Sequence, residues 1–120
     1  MKNLKDRANS AVVHYLELNE YTVLERDWKH GDTTIDVIAE DSNGTLCFIA
    51  VFVDIYDGNN SFDNVLSGNS DEKRKQFEKL SLAYLMNYEK VNVPVRYDEA
   101  HLMVLGTDRA MLRYHVCAIS

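Results

Sequence analysis

The side chains that could do chemistry in this chain are its acids, histidines and cysteines, and their spacing is uneven. Residues 31–70 hold seven acidic groups, Asp32, Asp36, Glu40, Asp41, Asp54, Asp57 and Asp63, and no Lys or Arg. Carboxylates are hard oxygen ligands suited to magnesium or manganese. The four histidines, His14, His30, His101 and His115, lie on different segments. None has a partner at metal-ligand spacing such as i, i+4, which argues against zinc. His101 and His115 can meet across neighbouring strands, although a packed histidine is the simpler reading. His30-Gly31-Asp32 reads as a turn rather than an acid/base pair. Cys47 and Cys117 sit inside apolar runs with no zinc-spaced partner, so they read as small buried hydrophobes more than as a disulfide. No serine or cysteine carries a local nucleophile motif. The run Asp71-Glu72-Lys73-Arg74-Lys75 supplies three consecutive cations. Lys73, Arg74 and Lys75 are candidate phosphate contacts, but their acidic neighbours favour a solvated helix start.

Composition bounds the rest. A chain of 120 residues suffices for one domain, 1–120, with one core. With 46% hydrophobic and 27% charged residues it is globular rather than disordered or repetitive. No apolar run reaches the roughly 18 residues of a membrane span. The charged N-terminus has no apolar stretch behind it, so no secretion signal is expected and a cytoplasmic location is. The net charge of −6 disfavours a general nucleic-acid binder, which carries a basic face.

The elements that must position these residues follow from periodicity. Residues 5–19 read as a helix, with Ala8, Ala11, Val12, Tyr15, Leu16 and Leu18 recurring at three- and four-residue spacing. Residues 21–28 and 33–39 read as strands. Asn43-Gly44 signals a hairpin into a third strand over 45–53. That third run is almost wholly apolar, as in a central strand covered on both faces. Residues 56–70 read as a long loop and 71–88 as a helix capped by Asn69-Ser70. Residues 96–105 and 111–119 read as two more strands joined by a turn over 106–109. The order αβββαββ predicts an α/β fold, a mixed central sheet flanked by helices. Trp28 and most of the seven tyrosines fall in these elements and read as core; Tyr56, in the acidic loop, is open to a partner.

Several short motifs in this order resemble the YraN-like family of small uncharacterised bacterial proteins. They are Tyr15-Leu16, Arg26-Asp27-Trp28-Lys29, Ile35-Asp36-Val37-Ile38-Ala39, Lys73 eleven residues before Tyr84-Leu85, and Arg96-Tyr97-Asp98. The resemblance covers nearly the whole chain. It implies a restriction-endonuclease-like, or PD-(D/E)xK, three-layer α/β/α sandwich, in a superfamily of metal-dependent nucleases.

The departures from the family pattern fall on the implied site. The first helix normally opens with Gly-Glu, here Ala8-Asn9. The second strand normally reads Gly-Glu-Ile-Asp, here Thr33-Thr34-Ile35-Asp36. The third normally ends Phe-Val-Glu-Val-Lys, here Phe48-Ile49-Ala50-Val51-Phe52. Asn9, Thr34, Ala50 and Phe52 therefore replace three acids and a lysine, and Asp36 alone survives. Metal-assisted phosphodiester hydrolysis needs oxygen ligands beside the scissile phosphate. Ala50 cannot ligate a metal, and Phe52 can neither donate a hydrogen bond nor carry charge. Asp54 shares their strand face, but four residues span about 13 Å, too far to replace the lost Glu without a bulge. Lys73 or Lys75 could supply the missing lysine, although a solvated helix face is the simpler reading.

These losses point to a non-catalytic, nuclease-like binding or interaction module that uses no cofactor. A protein partner or self-association ranks slightly above nucleic acid, because a cleft that keeps Asp32, Asp36 and Asp54 without a lysine repels phosphate. The alternative is a residual magnesium- or manganese-dependent deoxyribonuclease, or a nucleic-acid-binding protein related to restriction and Holliday-junction nucleases. Neither a membrane nor a small-molecule cofactor is implied.

Overall fold

Asn3 starts the first helix: its side chain accepts the Asp6 N–H at 2.8 Å, satisfying one of the donors that a helix start leaves open. The computed structural model describes residues 3–58, 70–88, 92–106 and 109–116, and of residues 70–74 the backbone only. Helix α1 is Leu4–Leu18. Ala8, Val12 and Leu16, each one turn apart, are buried, so the predicted apolar stripe is the one that packs. Asn19 ends the helix with its side chain on the Tyr15 carbonyl at 2.8 Å.

Five strands follow the predicted order, with small shifts in their ends. They are β1 Thr22–His30, β2 Thr33–Glu40, β3 Leu46–Ile55, β4 Val95–Leu105 and β5 Arg109–His115, with helix α2, Ser70–Leu85, between β3 and β4. His30, expected in the turn, instead pairs with Thr33 and closes the first hairpin. Arg109, also expected in a turn, opens β5 and pairs with Leu105. Helix α2 stops three residues short of the expected Tyr88. Residues 59–69, the bulk of the expected loop and its cap residue Asn69, lie outside the described residues, as does Cys117. The β2–β3 turn is built by Asp41, whose Oδ1 accepts the Asn43 and Thr45 N–H groups at 2.9 Å each. Gly44 takes φ 86° there, a left-handed conformation open to glycine without steric cost.

The sheet order is β1-β2-β3-β4-β5, antiparallel throughout except for the parallel β3–β4 pair. A parallel pair needs a crossover, and the segment carrying α2 supplies it. β3 is central, as its apolar run predicts. Its alternation sends Cys47, Ile49 and Val51 to the α1 side, with Val37, Ala39, Ala100 and Leu102. Phe48 goes to the α2 side, with Ile38, Leu46, Leu80 and Tyr84. Helices therefore cover both faces, which is the expected three-layer α/β/α arrangement and is consistent with a restriction-endonuclease-like fold.

The first hairpin breaks this alternation at one place. Arg26 reaches Ser10 on α1, with Nη2 to Oγ at 3.0 Å, whereas Trp28 packs edge-on against Tyr84 of α2. Residues two apart in a regular strand share a face. Between them Asp27 has φ 51°, and this left-handed residue turns the strand over. On the partner strand Val37 belongs to the α1-side core and Ile35 to the α2-side core. Asp36 lies at the point of reversal.

Candidate functional site

The reversal aims the Asp36 carboxylate sideways, between β2 and β3. The regular β2–β3 ladder ends at Val37 and Ile49. Beyond it, the Val51 N–H finds no strand partner and donates to Asp36 Oδ2 at 2.7 Å. Lys5, in the first turn of α1, donates from Nζ to the same oxygen at 3.2 Å. Nζ also donates to the Val51 carbonyl. The Asp36 side chain is 19% exposed and that of Lys5 43%, so the pair sits at the edge of the core rather than in open solvent.

One turn further along α1, the buried Asn9 donates from Nδ2 to Asp27 Oδ1 at 3.2 Å. Asp27 and Asp36 fall between the register pairs Arg26–Val37 and Trp28–Ile35, so they stand opposite each other on adjacent strands. Like charges so placed repel. Lys5 and Asn9, at i and i+4 on one helix face, each hold one member of the pair.

On the α2 side a cavity of about 280 Å³ opens beside Asp36. Thr34, Ala50 and Phe52, three positions singled out in the sequence, line it with Asp36. The rest of the wall is largely apolar, with Ile35, Phe48, Phe77, Leu80 and Tyr97. The rings pack edge to face: Phe48 on Phe77 at 5.6 Å and Phe77 on Tyr97 at 5.3 Å between centroids. Asn9, expected beside them, is instead turned to Asp27. From α2, the polar residue reaching the cavity is Gln76. Lys75 is exposed and does not line it, and the side chains of Lys73 and Arg74 lie outside the described residues. Among the described residues, the lysine beside Asp36 is Lys5, not Lys75.

Sequence reasoning also passed over Glu99. It pairs in register with Ala50, and His101 pairs with Phe52. A carboxylate thus stands one strand away from Ala50, where the family resemblance leads one to expect a Glu. Glu99 is 4% exposed and turned inward, with Oε1 3.1 Å from His101 Nε2. The Tyr97 hydroxyl also bonds to Glu99, and burial, reinforced by that carboxylate, raises the tyrosine pKa. His101 stacks on Phe52 at 4.8 Å and meets His115 edge-on at 5.1 Å, the cross-strand meeting left open by the sequence. Its Nδ1 is buried without a hydrogen-bond partner.

The motif Arg96-Tyr97-Asp98 divides its labour by alternation. Tyr97 faces the cavity, while Arg96 and Asp98 point to the α1 side. Asp98 is fully buried. It receives Arg96 Nε at 2.9 Å and the Tyr114 hydroxyl at 2.6 Å. Arg96 also donates to Tyr21 at 2.7 Å and to Asp41 at 3.2 Å. The hydrogen bond to Asp98 pushes the Arg96 pKa further up. Burial first, then Asp98, raises that of Tyr114. This network joins the starts of β1 and β4, the β2–β3 turn and β5; its role is structural.

A model of the uncharacterised protein family UPF0102 matches residues 8–118. The chain belongs to UPF0102. This is the YraN-like family whose motifs the sequence resembles. A search of curated proteins finds no match. Of the motifs that resemble this UPF0102 pattern, Asp36 and Tyr97 reach the cavity, whereas Arg96 and Asp98 hold the sheet together.

The residues at the cavity do not fit the divalent metal that a nuclease-like site implies. Asp36 Oδ2 is already taken by a backbone N–H and an ammonium. Ala50 offers no ligand, and Phe52 is apolar. Among the described residues no three His, Cys, Asp or Glu side chains converge as a metal would need. No helix among those residues is long and apolar enough to cross a membrane.

Proposed function

We propose that this UPF0102 protein is a pseudo-nuclease, a nuclease-like domain of the PD-(D/E)xK type that binds without cutting. One observation carries the reading. The cavity beside Asp36 is walled by Ala50, Phe52 and aromatic rings, and Asp36 is the single charged lining residue among the described side chains. Such a wall accepts an apolar side chain. Phosphate binding needs several cations on one face, and the described lining of the cavity contains no Lys or Arg. A protein ligand, another protein or a second copy of this chain, therefore ranks above DNA or RNA. Fold alone does not carry this conclusion; the chemistry of the wall does. Among the described residues the cavity lining offers Asp36 no second carboxylate and no lysine that would hold a metal or polarise a water, and the reading requires no magnesium or manganese. Its place of action is the cytoplasm.

The test is fluorescence anisotropy of labelled single-stranded, duplex and branched DNA at low salt, with and without manganese, using Asp36→Ala as the control. Flat traces and intact DNA are expected. Salt-sensitive binding would move nucleic acid above protein. Manganese-dependent cleavage abolished in Asp36→Ala would replace the pseudo-nuclease reading with that of an active deoxyribonuclease. Sedimentation velocity over a range of protein concentrations then separates self-association from a foreign partner, and Phe52→Lys should weaken whichever association is found.

A further inference from the structure

We infer that the outer edge of β5 is a docking strand for an extended segment of another protein, one that carries acidic and apolar side chains in alternation. β5 ends the sheet: it pairs with β4 on one side and with no described strand on the other. Such an edge presents a row of N–H and C=O groups without ladder partners. The pairing with β4 runs from Glu99–His115 to Leu105–Arg109 without a register shift. None of the seven residues of β5 is buried. The opposite edge of the sheet is built differently. β1 carries a register shift between Val23 and Glu25, and the left-handed Asp27. Irregularities of this kind spoil an edge for further pairing. β5 has neither, and it holds no proline.

The side chains of β5 say what kind of strand fits. Arg109, Met111, Arg113 and His115 alternate onto one face, and Ala110, Leu112 and Tyr114 onto the other. The strand contains no acid, in a chain whose net charge is −6. Opposite charges on directly opposed residues of neighbouring strands attract, so acids in an added strand fit beside Arg109 and Arg113. On the other face Leu112 and Tyr114 pack against the α1-side core. At the start of β5 a groove of about 490 Å³ opens, lined by Ala11, Leu102, Val104 and Ala110 together with Arg7 and Arg109. Apolar side chains of the added strand would extend this core and enter the groove. In strand addition the backbone hydrogen bonds supply affinity and the alternate side chains supply specificity. A second copy of β5 fits less well, because it would bring the arginines of both copies to one seam. β5 contributes no described residue to the Asp36 cavity, so this inference stands apart from the pseudo-nuclease reading.

The test is fluorescence anisotropy of a labelled peptide of alternating glutamate and valine, titrated with the full chain. Hydrogen exchange of the chain's amides is followed in the same mixture. Binding is expected, weaker as salt is raised, with exchange slowed in β5 and unchanged in β1. A peptide of the same composition with its glutamates and valines in separate blocks should bind at least about tenfold more weakly, as should one alternating lysine and valine. Arg109→Glu combined with Arg113→Glu should weaken the alternating peptide by about tenfold or more. Both positions are exposed; Arg109→Gln with Arg113→Gln serves the same purpose if the charge reversal lowers the melting temperature.

No binding at protein concentrations up to about 1 mM would overturn the inference. So would equal binding of the three peptides, unchanged affinity in the arginine variants, or slowed exchange confined to elements other than β5. Concentration-dependent protection of β5 without any peptide would overturn it in favour of a second copy as the occupant.

Discussion

At the residue scale, the two motifs that look most alike in sequence do different work. Ile35-Asp36 and Tyr97-Asp98 each place an aspartate in a strand. Asp98 is fully buried and bound by Arg96 and Tyr114, whereas Asp36 sits at the cavity edge. Removing one partner of a buried ion pair leaves the other charge uncompensated. Asp98→Ala should therefore destabilise the protein by about 3–5 kcal/mol, read from the urea midpoint. Tyr114→Phe removes one hydrogen bond to a charged group and should cost about 1.5–3 kcal/mol in the same assay. Asp36 drew attention in the sequence because it sits in the motif Ile35-Asp36-Val37-Ile38-Ala39, and it lines the cavity. Lys5 drew none: a lysine in a first helical turn looks solvated until the tertiary fold brings it to β2 and β3. Glu99 was hidden for a related reason. Its register with Ala50 comes from a parallel pairing across the segment between β3 and β4, which no local pattern encodes.

At the element scale, periodicity located each described helix and strand, because each buries a regular stripe or an alternate face. Leu16 and Leu18 show how sharply. Leu16 is fully buried and Leu18 is 71% exposed, although both looked like candidate core. Leu16→Ala should cost about 2–5 kcal/mol, while Leu18→Ala should stay within about 0.5 kcal/mol; thermal melts of the pair check this. The strand reversal in the first hairpin was not legible. It depends on one backbone angle, φ 51° at Asp27, and an Asp in a β-rich run looks ordinary. Asn and Asp tolerate the left-handed region better than other side chains, and β-branched residues least. Asp27→Asn should be close to neutral. Asp27→Val should lose at least about 1–2 kcal/mol from the backbone alone, and circular dichroism of both variants in urea separates them. If Val were tolerated as well as Asn, the reversal would owe nothing to residue 27.

At the scale of the whole molecule, charge and burial set the response to pH. Burial first, and the nearby Glu25 next, raise the Tyr84 pKa from 10.0 to about 12. An unfolded chain loses this proton near 10, whereas the folded one keeps it to about 12. Between those values the native state binds more protons than the unfolded state, so stability falls as pH rises. The contribution is fully present below pH 10 and is lost as pH rises through about 12. Melting temperature should decline across that window, and Tyr84→Phe should flatten the decline. The uneven charge was plain in the sequence; its spatial meaning was not. Among the described residues, the acids of the 31–70 stretch are dispersed rather than gathered in one cleft. Asp41 joins the Arg96 network, Asp36 is held by Lys5, and Asp54 lies exposed at the far end of β3.

Cys47 gives the fold its own clock. The thiol lies on the central strand with no exposed surface, within the α1-side core, so a thiol reagent can reach it only when the sheet opens. In a Cys117→Ser background its labelling rate in native buffer would measure how often β3 is uncovered. Where reclosing outpaces labelling, the rate converts to an opening free energy. A rate unchanged by low concentrations of urea would mean that α1 lifts away locally. One that rises as steeply as global unfolding would mean that the central strand is released only when the whole sheet comes apart.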